Sequence, residues 1–594
     1  MMRIRRVSVL ACTAALVFSL LGCQSKDPAQ EQAAFDEFME QMFVDAMESD
    51  YTTAHVYLQD PSAYGIDADA IEVNLGSRFD EASMQAAEDA FMETYAEFQQ
   101  FDRELLSEEQ QDVYDIYAFE ADLTEQLYDD KFDYYPQLFE SMSGLQFQLP
   151  SLFSDWEIRS EDDVKDLILL LNDVKPYVDS ALDYTRTQEE KGLLMVDARS
   201  VMDYCEGILN SGMDSSILSA MQEQVAALDL SEEATRSYQQ QLADAFSGSF
   251  LPAYQDIYDT MAEFRDSENN NTLGLAAFPN GKEYYALILQ QSIGSNQSVE
   301  DVQAMMDSAF EDHLTELQTI MFTDMEGVEP LINGEELPST GYTSYDAILQ
   351  AVSARMSEDF PEVSNLNYHI EDMNEEIASD GIAAYFNIPS LDGDSIKQMR
   401  VNPDGADPGS LSTYLTVSHE GFPGHMYQYA YLYENVDSNY VKTLANVSAY
   451  VEGYAVYAEY ESLHYLDTLN ESLTAAYREN ELASYCLYIQ ADIGIHYEGW
   501  DISETQDYFN ETGIVLSDED AQLVYDQLQA NPAAFQPYYV GYHEFAALRE
   551  KAEEALGDRF ENKAFNEAIL ESGIAPFSVV ERHVDAYIAA AQEA

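Results

Sequence analysis

The chain has 594 residues, with 26 Lys and Arg against 112 Asp and Glu, and a formal net charge of −86. A polyanion of this strength repels nucleic acid and anionic lipid headgroups, which excludes both as partners of its surface. Two of the four cysteines, Cys12 and Cys23, fall in the leader and at its end, and the two that remain are too few for a disulfide framework; after the leader no stretch approaches the ~20 apolar residues of a membrane span.

Residues 1–22 differ from the rest. Arg3, Arg5 and Arg6 precede the apolar run VSVLACTAALVFSLL, a charged n-region followed by an h-region too short to span, which together predict a secretory signal peptide. The string LLGC looks like the cleavage signal of bacterial lipoproteins, with Cys23 as the lipidated first residue of the mature chain. The protein is therefore expected outside the cytoplasm, held to the cell membrane by a lipid. Only Cys205 and Cys486 then remain, and whether they pair stays open.

Residues 23–34, which include SKDPAQEQ, read as a tether. A helical region over 35–265 follows, where apolar residues recur at helical spacing in 35–48, 82–101, 164–185, 215–228 and 231–246. Ser231 is placed to cap the last of these. No catalytic cluster is visible in this region, whose expected role is scaffold. DSENNNTLG (266–274) reads as a linker or exposed turn. Beyond it Ser298 is placed to cap a long helix over SVEDVQAMMDSAFEDHLTELQTIMF. GIAAYFNIP (381–389) and IKQMRVNP (396–403) flank an Asp-Gly turn, a hairpin signature. Helical spacing returns through LSTYLTVSHE and HMYQYAYLYENV.

Five of the nine histidines, His419, His425, His464, His496 and His543, fall within 125 residues. A single histidine is more often packed or exposed than a ligand, so neighbours must carry the case. In HEGFPGHMYQ (419–428) the first two histidines are six apart, and at about 100° per residue a straight helix puts them on opposite sides. Pro423, however, lies four residues after His419, where its ring meets the His419 carbonyl and its missing N–H breaks the ladder. Gly424 beside it tolerates unusual backbone angles. The helix is predicted to open here as a local bulge and to resume with His425 on the face of His419, so that both imidazoles reach one metal. Glu452, 27 residues after His425 in VEGYAVYAE, can arrive from an antiparallel helix as the third ligand. Glu459, seven further on, can orient a histidine from behind. The competing interpretation makes both glutamates part of one solvated stripe. Glu420 has the position of the general base in a zinc peptidase, and His496 or one of Tyr538, Tyr539 and Tyr542 is left to stabilise an oxyanion.

The strings FPNGKEYYA, RVNP, SHEGFPGHMYQ, VEGYAVYAE, DIGIHYEGW, PYYVG, ALGDRF and ILESGIAPF resemble the bacterial domain of unknown function 885 family, many of whose members are exported lipoproteins. Tyr454 stands where that family usually has Trp, and Met426 where many members have another His. The family in turn looks like a relative of the helical zinc peptidases that include angiotensin-converting enzyme and carboxypeptidase Taq. The resemblance implies a mainly α fold around a deep cleft, with a small hairpin or sheet beside the active-site helix. It implies one zinc ion per chain on His419, His425 and Glu452, Glu420 as base, and His496 and Tyr538 near the substrate. It also implies that residues 275–594 form the catalytic region, packed with the N-terminal helices as one unit. The expected function is a lipid-anchored extracytoplasmic metallopeptidase acting on short peptides, with the hairpin either holding the peptide by strand addition or serving as a two-stranded flap over a core. The alternatives are a non-catalytic metal- or peptide-binding lipoprotein and a zinc amidohydrolase of non-peptide amides.

Overall fold

The computed structural model describes residues 26–593 apart from 379–382, 394–395 and 404. The signal peptide and Cys23 lie outside the described residues. The architecture is mainly α with one small sheet. Among the described residues, no helix is long and apolar enough to cross a membrane.

The first helix spans Pro28–Ser49, so residues 28–34 are helical where the sequence suggested a tether. Its start has local causes. Asp27 accepts from the Ala29 N–H, and Pro28 opens the helix where a missing N–H leaves nothing unsatisfied. Glu31 is held by Lys26 at 2.6 Å and by the Asp102 N–H at 2.7 Å. Further on, the helix Glu161–Lys191 runs straight through Pro176. A proline there cannot donate to the carbonyl of Asn172. Ser249 does so instead, its hydroxyl donating to that carbonyl at 3.0 Å and accepting from the Lys175 N–H at 3.0 Å.

The N-terminal helices share buried cores with the later chain. Phe35 and Tyr117 lie in one cluster with Val417 and Phe545, and Leu123 and Met195 in another with Tyr285 and Val540. Glu120, on the helix Glu108–Leu127, is a polar tie between the two regions: it accepts hydrogen bonds from the Tyr440 hydroxyl and the Asn446 N–H. Burial pushes its carboxyl up to about 7, against the pull of those two donors. The folded state thus holds the proton more tightly than the unfolded chain does. Its contribution to stability is complete below the ordinary carboxyl range and is lost as pH rises through about 7. Denaturant melts of the parent and of Glu120→Gln should diverge over that interval, the parent losing about 3 kcal/mol more. Parallel stability curves would show that Glu120 keeps an ordinary acidity.

Three strands, β1 (Tyr368–Asp372), β2 (Ala384–Asn387) and β3 (Lys397–Val401), form the sheet in the order β1–β3–β2. β2 and β3 pair antiparallel, with Phe386 opposite Met399, as the hairpin signature predicts. β1 adds a parallel partner to β3, which the sequence reading missed. β2 is left as an edge strand.

Five helices carry the later argument: α1 (Leu411–Glu420), α2 (His425–Asn435), α3 (Ser448–Glu461), α4 (Glu471–Ile493) and α5 (Gln536–Leu556). α3 buries Tyr450, Tyr454, Ala455, Val456, Tyr457 and Ala458 around most of its circumference, the pattern of a central helix. It meets α5 backbone to backbone. A Cβ on Gly453 would lie 2.5 Å from Gly541 Cα, and one on Gly541 would lie 2.4 Å from the Ala449 carbonyl oxygen. Gly453→Ala must push the helices apart and is expected to lower stability by about 1–3 kcal/mol, read as a fall in the urea midpoint. An unchanged midpoint would mean that the two helices yield freely.

Candidate metal centre

The segment HEGFPGH opens the helix as a two-residue insertion: the hydrogen bonds across it, from the Gly424 N–H to Ser418 and from the Tyr427 N–H to Gly421, reach six residues back where a continuous helix reaches four. α1 ends at Glu420 and α2 begins at His425, with four residues and a cis Phe422–Pro423 peptide between them. The helix thus opens and resumes at His425, as Pro423 and Gly424 predict. Gly424 folds back over the end of α1, its N–H donating to the Ser418 carbonyl at 3.0 Å. A Cβ on Gly424 would stand 1.8 Å from the His419 carbonyl oxygen, so only glycine fits. Tyr454 on α3 fixes the turn from outside, its hydroxyl donating to the Pro423 carbonyl at 3.1 Å.

This insertion brings the two imidazoles edge to face, with ring centres 4.8 Å apart and planes at 88°. Both Nε2 atoms converge on one carboxylate oxygen, Glu452 Oε2, at 3.4 Å from His419 and 3.2 Å from His425. The other nitrogen of each ring is held from behind. His419 Nδ1 donates to Glu459 Oε2 at 3.0 Å, and His425 Nδ1 to Gln428 Oε1 at 3.3 Å. Those partners orient the rings so that their Nε2 atoms face the cluster. Gln428, three residues after His425 on the same helix face, escaped the sequence reading although its spacing was visible.

The electrostatics fit a cation. Burial works against charge on His419, but Glu452 and Glu459 outweigh it and hold the imidazole well above its ordinary range. Burial likewise opposes ionisation of Glu452, yet His425 and His419 hold that carboxyl well below the usual carboxylate range. Two imidazole nitrogens and an ionised carboxylate oxygen, all within 4.8 Å of one another, make a donor set suited to zinc or a similar divalent ion.

Glu420 lies beside this trio and is not one of its donors. Its Oε2 accepts the Phe386 N–H at 2.8 Å, so the edge strand β2 grips the carboxylate directly. Burial pushes this carboxyl up, while His419 and His425 pull it down. Tyr538, two residues into α5, stacks on His419 with ring centres 6.2 Å apart. The charges of Glu452 and Glu420, after burial, raise its hydroxyl above the ordinary range.

His496 is not brought to the cluster. It is fully buried, accepts the Leu275 N–H on Nδ1 at 3.1 Å, and donates from Nε2 to the Leu528 carbonyl at 3.0 Å. Neither nitrogen is left for a substrate. Asp492, one turn earlier, accepts from the Tyr285 hydroxyl at 2.5 Å, the Ala533 N–H at 3.1 Å and Gln536 Nε2 at 2.6 Å. The string DIGIHYEGW thus anchors the start of α5, and with it Tyr538. Tyr539 stacks on Tyr485 and Tyr542 packs against Tyr460, so among the three tyrosines only Tyr538 stacks on a histidine of the cluster. Cys205 and Cys486 are both free and buried.

The profile of the family described as "Bacterial protein of unknown function (DUF885)" matches residues 62–584. Two solved structures share the fold. "The putative lipoprotein from Colwellia psychrerythraea" aligns over 94% of this chain and 99% of its own, with 17% identity and a TM-score of 0.79. "A putative lipoprotein of unknown function from Shewanella oneidensis" aligns over the same shares, 94% and 99%, with 15% identity and a TM-score of 0.62. No curated protein matches the chain.

Proposed function

The chain belongs to the DUF885 family of bacterial proteins, and from that membership and the geometry around His419 we propose that it is a zinc-dependent metallopeptidase of short peptides, lipid-anchored outside the cytoplasm. The observation that carries the proposal is the convergence of His419 Nε2 and His425 Nε2 on Glu452 Oε2, with a carboxylate outside the donor set beside them. A pure metal buffer has no use for Glu420 in that place. The anchor is inferred from Cys23 and from the two lipoproteins whose fold the chain shares.

His419, His425 and Glu452 would hold the ion, with Glu459 orienting His419. When bound, zinc supplies Lewis acidity toward a scissile carbonyl and toward water. Glu420, fixed by the Phe386 N–H, takes the proton from the attacking water and returns it to the leaving amine nitrogen. Tyr538 donates its hydroxyl to the oxyanion. The outer edge of β2 offers main-chain groups to an extended peptide. Asn387, Ile388, Pro389 and Ser390 at the end of that strand line a cavity of about 650 Å³, whose far wall includes Gln148, Asp155 and Trp156. The N-terminal helices and residues 275–594 act in this proposal as one catalytic unit.

Metal analysis followed by digestion of a peptide library tests the proposal. Zinc that supports cleavage of short peptides, with cleavage abolished by a chelator and restored by zinc, is the expected result. Peptides bound but returned intact would replace catalysis by capture. Turnover of non-peptide amides alone would make the protein an amidohydrolase.

A further inference from the structure

A second cluster lies apart from the His419 centre and shares no residue with it. His313 on the helix Val299–Thr323, Cys486 on α4 and His543 on α5 bring two ring nitrogens and a sulfur within 4.8 Å of one another. Cys486 Sγ is 3.7 Å from His543 Nε2, and the two imidazole centres are 5.2 Å apart. Around a tetrahedral ion with ordinary bond lengths, a sulfur and a nitrogen donor stand about 3.6 Å apart. The separation observed matches that of two ligands of one ion, and without an ion it is a thiol–imidazole hydrogen bond.

The orientation of His313 is the decisive feature. Its Nδ1 donates to Glu479 Oε2 at 2.6 Å, and Glu479 is braced by Arg478 at 2.7 Å. Its Nε2 is sealed from solvent and has no hydrogen-bond partner. A buried ring nitrogen left bare costs about 1–3 kcal/mol. Ordinary packing explains a buried thiol between two half-buried imidazoles, but it leaves this atom unexplained. A carboxylate behind one nitrogen and a bare lone pair at the other is how metal-binding histidines are held. α4 supplies both parts, since Glu479 and Cys486 lie seven residues, two turns, apart on it. Burial pushes His543 down to about 3, so its ring is neutral and can donate a lone pair. Burial pushes the Cys486 thiol up to about 12. Binding therefore releases the thiol proton to solvent, one proton for each ion held as thiolate.

We propose that His313, Cys486 and His543 form a second metal site, which takes a thiophilic d10 cation, zinc(II) or copper(I), and pins three helices together. A hard ion such as calcium or magnesium is excluded by the sulfur and by the lack of oxygen donors among the three. Because α5 carries both His543 and Tyr538, an ion here braces the helix that faces the first centre without touching the reacting atoms.

Cobalt(II) loading of the full-length protein tests this independently of any activity. The first centre contains no sulfur, so a near-ultraviolet thiolate-to-cobalt charge-transfer band that depends on Cys486 reports on the second. The band is expected in the parent protein and in His425→Ala, and it should vanish in Cys486→Ser and His543→Gln. Absence of the band from the folded, cobalt-loaded parent overturns the site. So does its survival in folded Cys486→Ser or His543→Gln. Two further titrations identify the ion, one with zinc against a chelator and one with copper(I) under anaerobic conditions against a chromophoric ligand. Retention of either, lost on Cys486→Ser, assigns it, and a parent that retains neither beyond what His425→Ala also loses refutes the proposal. Occupation should also raise the melting temperature of His425→Ala, which no longer has the first centre to respond.

Discussion

Glu420→Gln should lower kcat on every peptide the parent cleaves by about 10²- to 10⁴-fold, with zinc content unchanged. The substitution is nearly isosteric, and the amide oxygen of Gln can still accept the Phe386 N–H that now reaches Oε2 at 2.8 Å. What disappears is the ability to take and return a proton. Because Glu420 is not among the donors that converge on Glu452 Oε2, metal affinity should not follow the loss of rate. KM should change little, since the edge of β2 and the cavity beyond Asn387 stay in place. Full hydrolytic activity in a zinc-loaded Glu420→Gln would remove the base from the mechanism and leave another group to be found.

The centre was legible in the sequence because its information is local. Pro423 and Gly424 sit inside the motif they distort, and Glu452 and Glu459 lie on the next helix. The insertion shows in the spacing of His419 and His425, whereas the cis Phe422–Pro423 peptide and the four non-helical residues between α1 and α2 leave no mark on it. Other features depend on contacts that no short window contains. His496 belongs to a suggestive string, but whether its nitrogens are free is decided by the main chain of Leu275 and Leu528, 221 and 32 residues away. β1 forms because β3 presents it with a parallel edge, a pairing with no turn between neighbours to announce it. The tether residues 28–34 carried no core periodicity, and their helix rests on Asp27, Lys26 and Asp102 instead. The cluster of His313, Cys486 and His543 draws on three helices spread over 230 residues, so no ligand spacing marks it.

Removing a donor and removing its support should separate sharply at the first centre. His425→Ala deletes one of the two nitrogens that meet Glu452 Oε2, and leaves a buried carboxylate with a single histidine partner. Zinc at that centre and peptide hydrolysis should both fall to background, because two remaining protein donors are too few for a catalytic site that normally has three. Glu459→Gln leaves all three donors and changes only what stands behind His419 Nδ1, now 3.0 Å from the carboxylate. The ring keeps a hydrogen-bond acceptor in Gln but loses the negative charge that strengthens its lone pair. Affinity should then weaken by about 10- to 100-fold, and excess zinc should restore the rate. Competition with a chelator measures both variants on one scale. If His425→Ala kept parental affinity at this centre, His419 and Glu452 would not be sharing their ion with it. Equal, unrescuable losses in the two variants would instead make Glu459 part of the donor set, with Glu452 free for another task.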